Sequence, residues 1–344
     1  MITGAYTALV TPFTENGVDS EGLAGLAEFQ IQNGISGILA VGTTGESPVL
    51  TWNEHNTVIE DIVKLTKKKC FCIAGTGSNN TKESLEATKH AADAGADAVL
   101  LVDPYYNGPS SLEIRREYIE PVANAVPNTQ VIPYVIPGRT GAQLLPEDIA
   151  LLSKHCPNVS TVKEATGSME NMKRTRTCCG SDFTILSGDD GLTFTMMTDP
   201  LIKAGGVISV ASNVAPKAVA DMVSLLADGK IAEAEKLKNA LEPLFGLVTV
   251  KTTEKTPYGD VMFRARNPLA IKTFMSIIGI PSGGCRRPLG KLTENALDFV
   301  LETGRKVLAD NPEILQPAAD FFGVDIEKRL NEPVNRQALC YSDY

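Results

Sequence analysis

One alternation constrains this chain more than anything else in it. Short apolar runs are separated by longer amphipathic stretches from residue 4 to about residue 227, the pattern of repeated βα units around a parallel sheet. The runs lie at 4–10 (GAYTALV), 36–42 (SGILAVG), 70–75 (CFCIAG), 97–102 (DAVLLV), 130–134 (QVIPY), 158–163 (NVSTVK), 183–188 (FTILSG) and 206–211 (GVISVA). Helical candidates fall near 20–33, 53–68, 80–94, 110–125, 146–154, 168–179, 190–203 and 215–227. Several open on capping residues, as in Asp19-Ser20, Asn80-Thr81 and Ser110-Ser111, while Pro146 with Glu147 and Asp148 suits a first helical turn. Eight consecutive units predict an α/β chain closed into a (β/α)8 TIM barrel. An open doubly wound sheet has fewer strands and a Gly-rich nucleotide turn after the first, where this chain reads TPFTENG.

Past residue 228 the strand signal disappears, and AEAEKLKNALEPLFGLV, PLAIKTFMSIIG and ENALDFVLETGRKVLA read as amphipathic helices. The organisation expected is a catalytic barrel over 1–227, a C-terminal helical domain over 228–310, and an extension over 311–344 that is polar, mixed in sign and short of periodicity. That extension predicts a short helix and a tail, and its composition discloses no role.

Charge narrows the partners. With 32 Lys+Arg against 41 Asp+Glu and a net charge of −9, general attraction to nucleic acid or to an anionic membrane is excluded, which leaves room only for a local cationic pocket. No stretch approaches the roughly 18–20 unbroken apolar residues of a membrane span. The first strand-like run begins a few residues after Met1, so no targeting segment is expected and the cytoplasm is the expected location. The seven cysteines form no CxxC pair and stand near no histidine at metal-site spacing, which suits free thiols in a reducing compartment and predicts no metal site. Cys70 and Cys72 flank Phe71 and read as small buried hydrophobes on one strand face; a ligand or redox role is the competing reading.

In such a barrel, reactive side chains belong at the carboxyl ends of the strands. There the chain places Gly42-Thr43-Thr44-Gly45-Glu46 after the second run, Pro104-Tyr105-Tyr106-Asn107 after the fourth, Tyr134 at the end of the fifth and Lys163-Glu164 at the end of the sixth. A lysine closing VSTV is either a desolvated amine in the barrel lumen, neutral enough to add to a ketone and form an imine, or a solvated strand end paired with Glu164. Tyr134 is either an acid/base, with Thr43 and Tyr106 as relay partners, or a packing residue of the barrel mouth. The GTTGE turn offers consecutive N–H groups to a carboxylate, although glycine turns also occur for steric reasons alone. Arg139, in Pro137-Gly138-Arg139-Thr140-Gly141, is the one arginine in a strand-end loop at the predicted mouth; it either clamps a carboxylate bidentately or is a solvated loop residue.

Six motifs then occur in order: GTTGES at 42–47, PYYN at 104–107, YxxPGRTG at 134–141, KEATG at 163–167, SGDD at 187–190 and GVISV at 206–210. As a set spread over most of residues 1–300, the chain resembles the dihydrodipicolinate synthase family of the pyruvate-dependent Schiff-base lyases (the N-acetylneuraminate lyase superfamily). The resemblance implies Lys163 as the Schiff-base lysine, Tyr134 as the proton shuttle, and Thr43 and Tyr106 as the rest of the relay. It also implies Thr43 and Thr44 on the pyruvate carboxylate, Arg139 on the carboxylate of L-aspartate 4-semialdehyde, and the main chain at Gly188 and Ile208 bordering the site. The implied reaction is condensation of the two substrates to 4-hydroxy-tetrahydrodipicolinate, the first committed step of lysine (diaminopimelate) biosynthesis, with no metal or organic cofactor. Because this family supplies the relay tyrosine across a subunit interface, Tyr106 implies a homodimer or homotetramer.

Ser47, Trp52, His55, Asn79, Glu83 and Tyr105 match the family's positions for feedback lysine, implying allosteric inhibition, although His55 alone reads as a helix-surface residue. Three features depart from the family: Val135 stands where Asn is usual, TFTMMTDPLIKAGG looks lengthened before the eighth strand, and residues after about 310 run past the usual end. The first two were expected to touch the mouth of the site. Arg139 favours the semialdehyde over the sugar acids of related aldolases and dehydratases, and a non-catalytic barrel sensing pyruvate or lysine is the reading from another class. The two enzyme readings share Lys163 and Tyr134.

Overall fold

The structure, a computed structural model, describes residues 2–332 and 335–344. Eight parallel strands, β1 (Gly4–Ala8), β2 (Gly37–Ala40), β3 (Phe71–Gly75), β4 (Ala98–Val102), β5 (Gln130–Val135), β6 (Thr161–Glu164), β7 (Thr184–Ser187) and β8 (Gly206–Ser209), pair in sequence order, and β8 pairs with β1 to close the barrel. The runs are apolar in both phases because both faces are covered, as parallel sheets require. Tyr6, Leu39, Ile73, Leu100, Ile132, Tyr134 and Ile208 form the cluster that fills the lumen. Their neighbours in the opposite phase, among them Ile38, Cys72, Val99, Val131, Val135, Val162 and Val207, belong to the larger core between sheet and helices. At the closing seam Gly206 has φ +151, and a Cβ there would collide with the Gly4 carbonyl, so only glycine lets β8 lie flat on β1.

The helices between strands are α1 (Ser20–Gln32), α2 (Trp52–Thr66), α3 (Thr81–Ala94), α4 (111–125), α5 (Pro146–His155), α6 (Met169–Cys179), α7 (Thr193–Thr198) and α8 (Pro216–Ala227). The expected caps are made: Asp19 accepts from the Gly22 N–H, Asn80 from the Lys82 N–H, and Ser110–Glu113 form a reciprocal capping box; Thr51–Glu54 add a second box that was not expected. The helix expected over 190–203 is shorter than its amphipathic stretch. Asp189 takes the first residues into a turn by accepting from the Gly191 and Leu192 N–H groups at 2.9 and 3.3 Å, and Pro200 cannot continue a helix.

Beyond the barrel, α9 (Ile231–Phe245), α10 (Leu269–Ile278) and α11 (Glu294–Asp310) follow the predicted helices. Between α9 and α10 the structure adds an antiparallel hairpin, β9 (Thr249–Thr256) and β10 (Gly259–Arg266), where no strand was expected. Its inner face holds Val250, Glu254 and Ala265, and its outer face carries Lys251, Lys255 and Arg264 in solvent, so the apolar alternation that marks a strand is nearly absent. Among the described residues after 310, several pack back onto the fold. They form α12 (Gln316–Phe322), α13 (Ile326–Asn331) and α14 (Arg336–Leu339); Phe321 and Phe322 meet Phe29 of α1 at ring distances of 5.3 and 5.1 Å. Arg329 Nε donates to the Ile277 carbonyl at the end of α10 at 2.8 Å, and Cys340 bridges to Leu292. All seven cysteines are unpaired, with Cys72 buried and Cys70 half-buried. Among the described residues no helix is long and apolar enough to cross a membrane.

Candidate active site

Strand register decides which side chains meet. Val162 faces the outer core, so Lys163, one residue on, turns into the lumen, where β5–β6 pairing sets it opposite Tyr134. The lysine is 5% exposed, and its Nζ lies 4.1 Å from the centroid of the Tyr134 ring. Burial pulls the Lys163 pKa down to about 7, Arg139 adds to the shift, and Asp190 opposes it. Asp190 is already engaged: its carboxylate accepts from Ser209 Oγ at 2.5 Å and from the Val210 and Ala211 N–H groups at 2.9 and 3.2 Å. Glu164 is not the partner that the solvated-lysine reading required, because it is buried on the other side of the strand and accepts from the Thr166 N–H at 2.8 Å. The result is a buried amine whose pKa is drawn down to about 7, with no carboxylate among the described residues hydrogen-bonded to it.

Tyr134 is itself buried, and burial pushes its phenol up to about 12, while Arg139 and a hydrogen bond with Thr43 pull the other way. At neutral pH it is therefore a protonated donor. Gly188 matters for what it lacks: a Cβ there would lie 3.2 Å from Lys163 Cε and 2.8 Å from the Ala165 Cβ. Ile208 closes the lumen nearby.

The GTTGE turn is held from outside the barrel by two residues that sequence reading missed. Asn267 Nδ2 donates to Thr44 Oγ1 at 2.9 Å. Lys272, on α10, donates to Glu46 Oε1 at 2.7 Å, to the Thr11 carbonyl at 2.9 Å and to the Gly284 carbonyl at 3.0 Å. Glu46, in left-handed backbone at φ 57, also accepts from the Arg286 N–H at 2.9 Å, and Thr11 Oγ1 donates to the Gly45 carbonyl at 2.7 Å. A signal was present: Lys272 is the one charged residue in LAIKTFMSII, and a lysine inside an apolar helix needs a buried partner.

A cavity of about 370 Å³ opens over this end of the barrel. Gly42, Thr43, Tyr134 and Arg139 line one part of it, and Ser47, Trp52, His55, Glu83 and Tyr105 line another. Members of the two residue sets treated separately in the sequence thus share one cavity, whose wall does not include Thr44, Asn79, Tyr106, Gly188 or Ile208. Lys163 is not on its wall but lies against the Tyr134 ring. His55 is buried, not a helix-surface residue; burial lowers its pKa to about 4, and its ring is 5.2 Å from that of Trp52. Asn79 accepts from the Tyr105 N–H at 2.6 Å, and Glu83 from Ser78 Oγ at 2.6 Å.

Arg139, in the short helical turn Pro137–Thr140, donates to the Asn267 carbonyl at 3.2 Å and pairs with no carboxylate among the described residues. Tyr106 stands apart: it is 87% exposed, so this chain alone does not bring it to Tyr134. Val135 is also not at the mouth; it packs in the outer core, facing away from Lys163.

Comparison with known proteins gives one answer. A model of the "Dihydrodipicolinate synthetase family" matches residues 1–303. A 4-hydroxy-tetrahydrodipicolinate synthase of Geotalea uraniireducens is 43% identical over 294 residues, 86% of this chain and 94% of the relative. Among solved structures, the enzyme from Cyanidioschyzon merolae with lysine bound has a TM-score of 0.79 at 34% identity, covering 89% of this chain and 97% of that one. The Acinetobacter baumannii enzyme complexed with pyruvate has a TM-score of 0.79 at 35% identity, covering 90% of this chain and 99% of that one.

Proposed function

The chain belongs to the dihydrodipicolinate synthetase family, and we propose that it performs that family's reaction through an imine between Lys163 and pyruvate. It is a lyase that condenses pyruvate with L-aspartate 4-semialdehyde to 4-hydroxy-tetrahydrodipicolinate, in lysine biosynthesis. The observation that carries the assignment of Lys163 is its buried amine, with a pKa drawn down to about 7, against the ring of a protonated Tyr134.

In this reading, Lys163 Nζ adds to the pyruvate carbonyl carbon and the carbonyl oxygen leaves as water, taking its protons through Tyr134 and Thr43. The cationic imine acidifies the methyl group, which gives a proton back to the Tyr134 phenolate left by water departure and becomes an enamine. The enamine carbon attacks the aldehyde, and the substrate amine then adds to the imine carbon and displaces Lys163. Thr43 and Thr44 hold the pyruvate carboxylate on the N–H groups of the GTTGE turn, and Arg139 takes the carboxylate of the semialdehyde. Gly188 and Ile208 shape the space around the imine. The cationic imine nitrogen is the electron sink in this sequence, so none of its steps calls on a metal or organic cofactor.

The exposed position of Tyr106 supports its service to a second copy of the chain in a homodimer or homotetramer. The cavity shared with Ser47, Trp52, His55, Glu83 and Tyr105, with Asn79 beside it, supports feedback binding of lysine.

Borohydride reduction in the presence of pyruvate, followed by peptide mass mapping, is expected to leave a stable adduct on Lys163; an adduct elsewhere, or none, overturns the assignment. Turnover unchanged by a chelator tests the cofactor statement. A flat response of activity to millimolar lysine would remove the regulatory one.

A further inference from the structure

In a protein of net charge −9, the outer face of the β9–β10 hairpin is cationic. Antiparallel register sets Arg266 opposite Thr249, Arg264 opposite Lys251 and Asp260 opposite Lys255, and directly opposed residues share a face. Four cations and one acid therefore line the same side of the ribbon. Lys251 and Arg264 are exposed, and Arg266 is half-buried.

The ribbon ends at the mouth of the cavity. Arg266 Nη1 donates to the Gly138 carbonyl at 3.1 Å, and one residue further on the Asn267 carbonyl accepts from Arg139 Nη2 at 3.2 Å. The two arginines thus straddle one pair of backbone segments. Among the described residues none of Arg139, Arg264 and Arg266 forms an ion pair, and the repulsion that Arg139 feels comes from Arg266 and Arg264. Arg139 lines the cavity, and Arg266 sits on the same turn through the Gly138 carbonyl; like charges held this close, with no carboxylate among the described residues paired to either, favour an anion between them.

We infer that Arg266, with Arg264 beside it, forms an anion subsite that continues the Arg139 site and takes a carboxylate of the second substrate, making the hairpin a determinant of specificity. This rests on the reading of Arg139 as the semialdehyde contact. The pyruvate end, held on the GTTGE turn, is independent of it. The chemistry required is an oxyanion with two oxygens to offer, a carboxylate or the probe phosphate, so an arginine is better suited than a lysine.

Steady-state kinetics on the full-length chain test this. Arg266→Ala, and more strongly Arg264→Ala with Arg266→Ala, are expected to raise KM for the semialdehyde about tenfold, with kcat and KM for pyruvate within about twofold. Arg266→Lys should recover part of the loss. Inorganic phosphate should compete with the semialdehyde in the parent protein and much less in the double variant. An unchanged semialdehyde KM overturns the inference, and so does a rise in both KM values together, which assigns Arg266 only to bracing the Gly138 turn. Borohydride trapping of pyruvate on Lys163 in the same variants separates this outcome from failure of the underlying reading, because trapping depends on Lys163 and not on the hairpin.

Discussion

Two lysines are almost wholly buried in this molecule, and they have opposite surroundings. Lys163 is 5% exposed and Lys272 1%, so desolvation penalises the ammonium at both. Lys272 meets Glu46 at 2.7 Å and two carbonyls at 2.9 and 3.0 Å, one acceptor for each N–H of an ammonium. Lys163 has the ring of Tyr134 and an Asp190 whose oxygens are already taken. Burial alone therefore does not make a nucleophile. The role proposed for Lys163 needs the counter-charge withheld as well, and the same residue supplied with a counter-charge becomes a clamp on the turn that would hold pyruvate.

The comparison breaks first at Lys163. Lys163→Ala should lower turnover by about 10⁴-fold or more and abolish the borohydride adduct. Because no ion pair is broken, the variant should melt at or above the temperature of the parent, measured by calorimetry. Lys272→Met should behave in reverse: leaving Glu46 buried and unpaired costs about 3–5 kcal/mol in a denaturant titration. Adding Glu46→Gln should return much of that loss, since a neutral amide needs no counter-charge.

The remaining tests sharpen what surrounds Lys163. Tyr134→Phe keeps the ring against the amine and removes only the hydroxyl, so turnover should fall about 10²-fold or more while pyruvate still protects Lys163 from modification. The pH dependence is the smallest effect. With the Lys163 pKa at about 7, the amine is charged below that value and free above it. Imine trapping should rise through pH 7 and level off, and at pH 6 it should run about tenfold below the plateau. A profile still rising at pH 9 would mean that the amine keeps an ordinary lysine pKa and that the contrast with Lys272 is false.

How much of this could be read in the sequence followed from the range of the signal. The eight strands were legible because inward and outward positions are both apolar and each run is bounded by turn residues, and the meeting of Lys163 with Tyr134 was legible because both end such runs on neighbouring strands. The hairpin was not, since Thr249–Thr256 exposes Lys251, Thr253 and Lys255 on one face and buries a glutamate on the other. One short helix was expected in the tail and three are present, because α12, α13 and α14 are too short for a 3.6-residue period to repeat. Asn267 and Lys272 lie 223 and 226 positions from the residues they hold, and no local pattern reports a pairing at that distance. That Tyr105 and His55 share a cavity with Tyr134 depends on barrel closure, which brings loops from different strands to one rim.

The long span between Glu46 and Lys272 also has a meaning in time. A ribosome makes the GTTGE turn early and its clamp late, on the order of 10–45 s apart at ordinary elongation rates. Through that interval Glu46 has no lysine to meet, so it stays hydrated and the turn stays loose. The site that would hold pyruvate is therefore completed by the arrival of α10, after the whole barrel has already emerged.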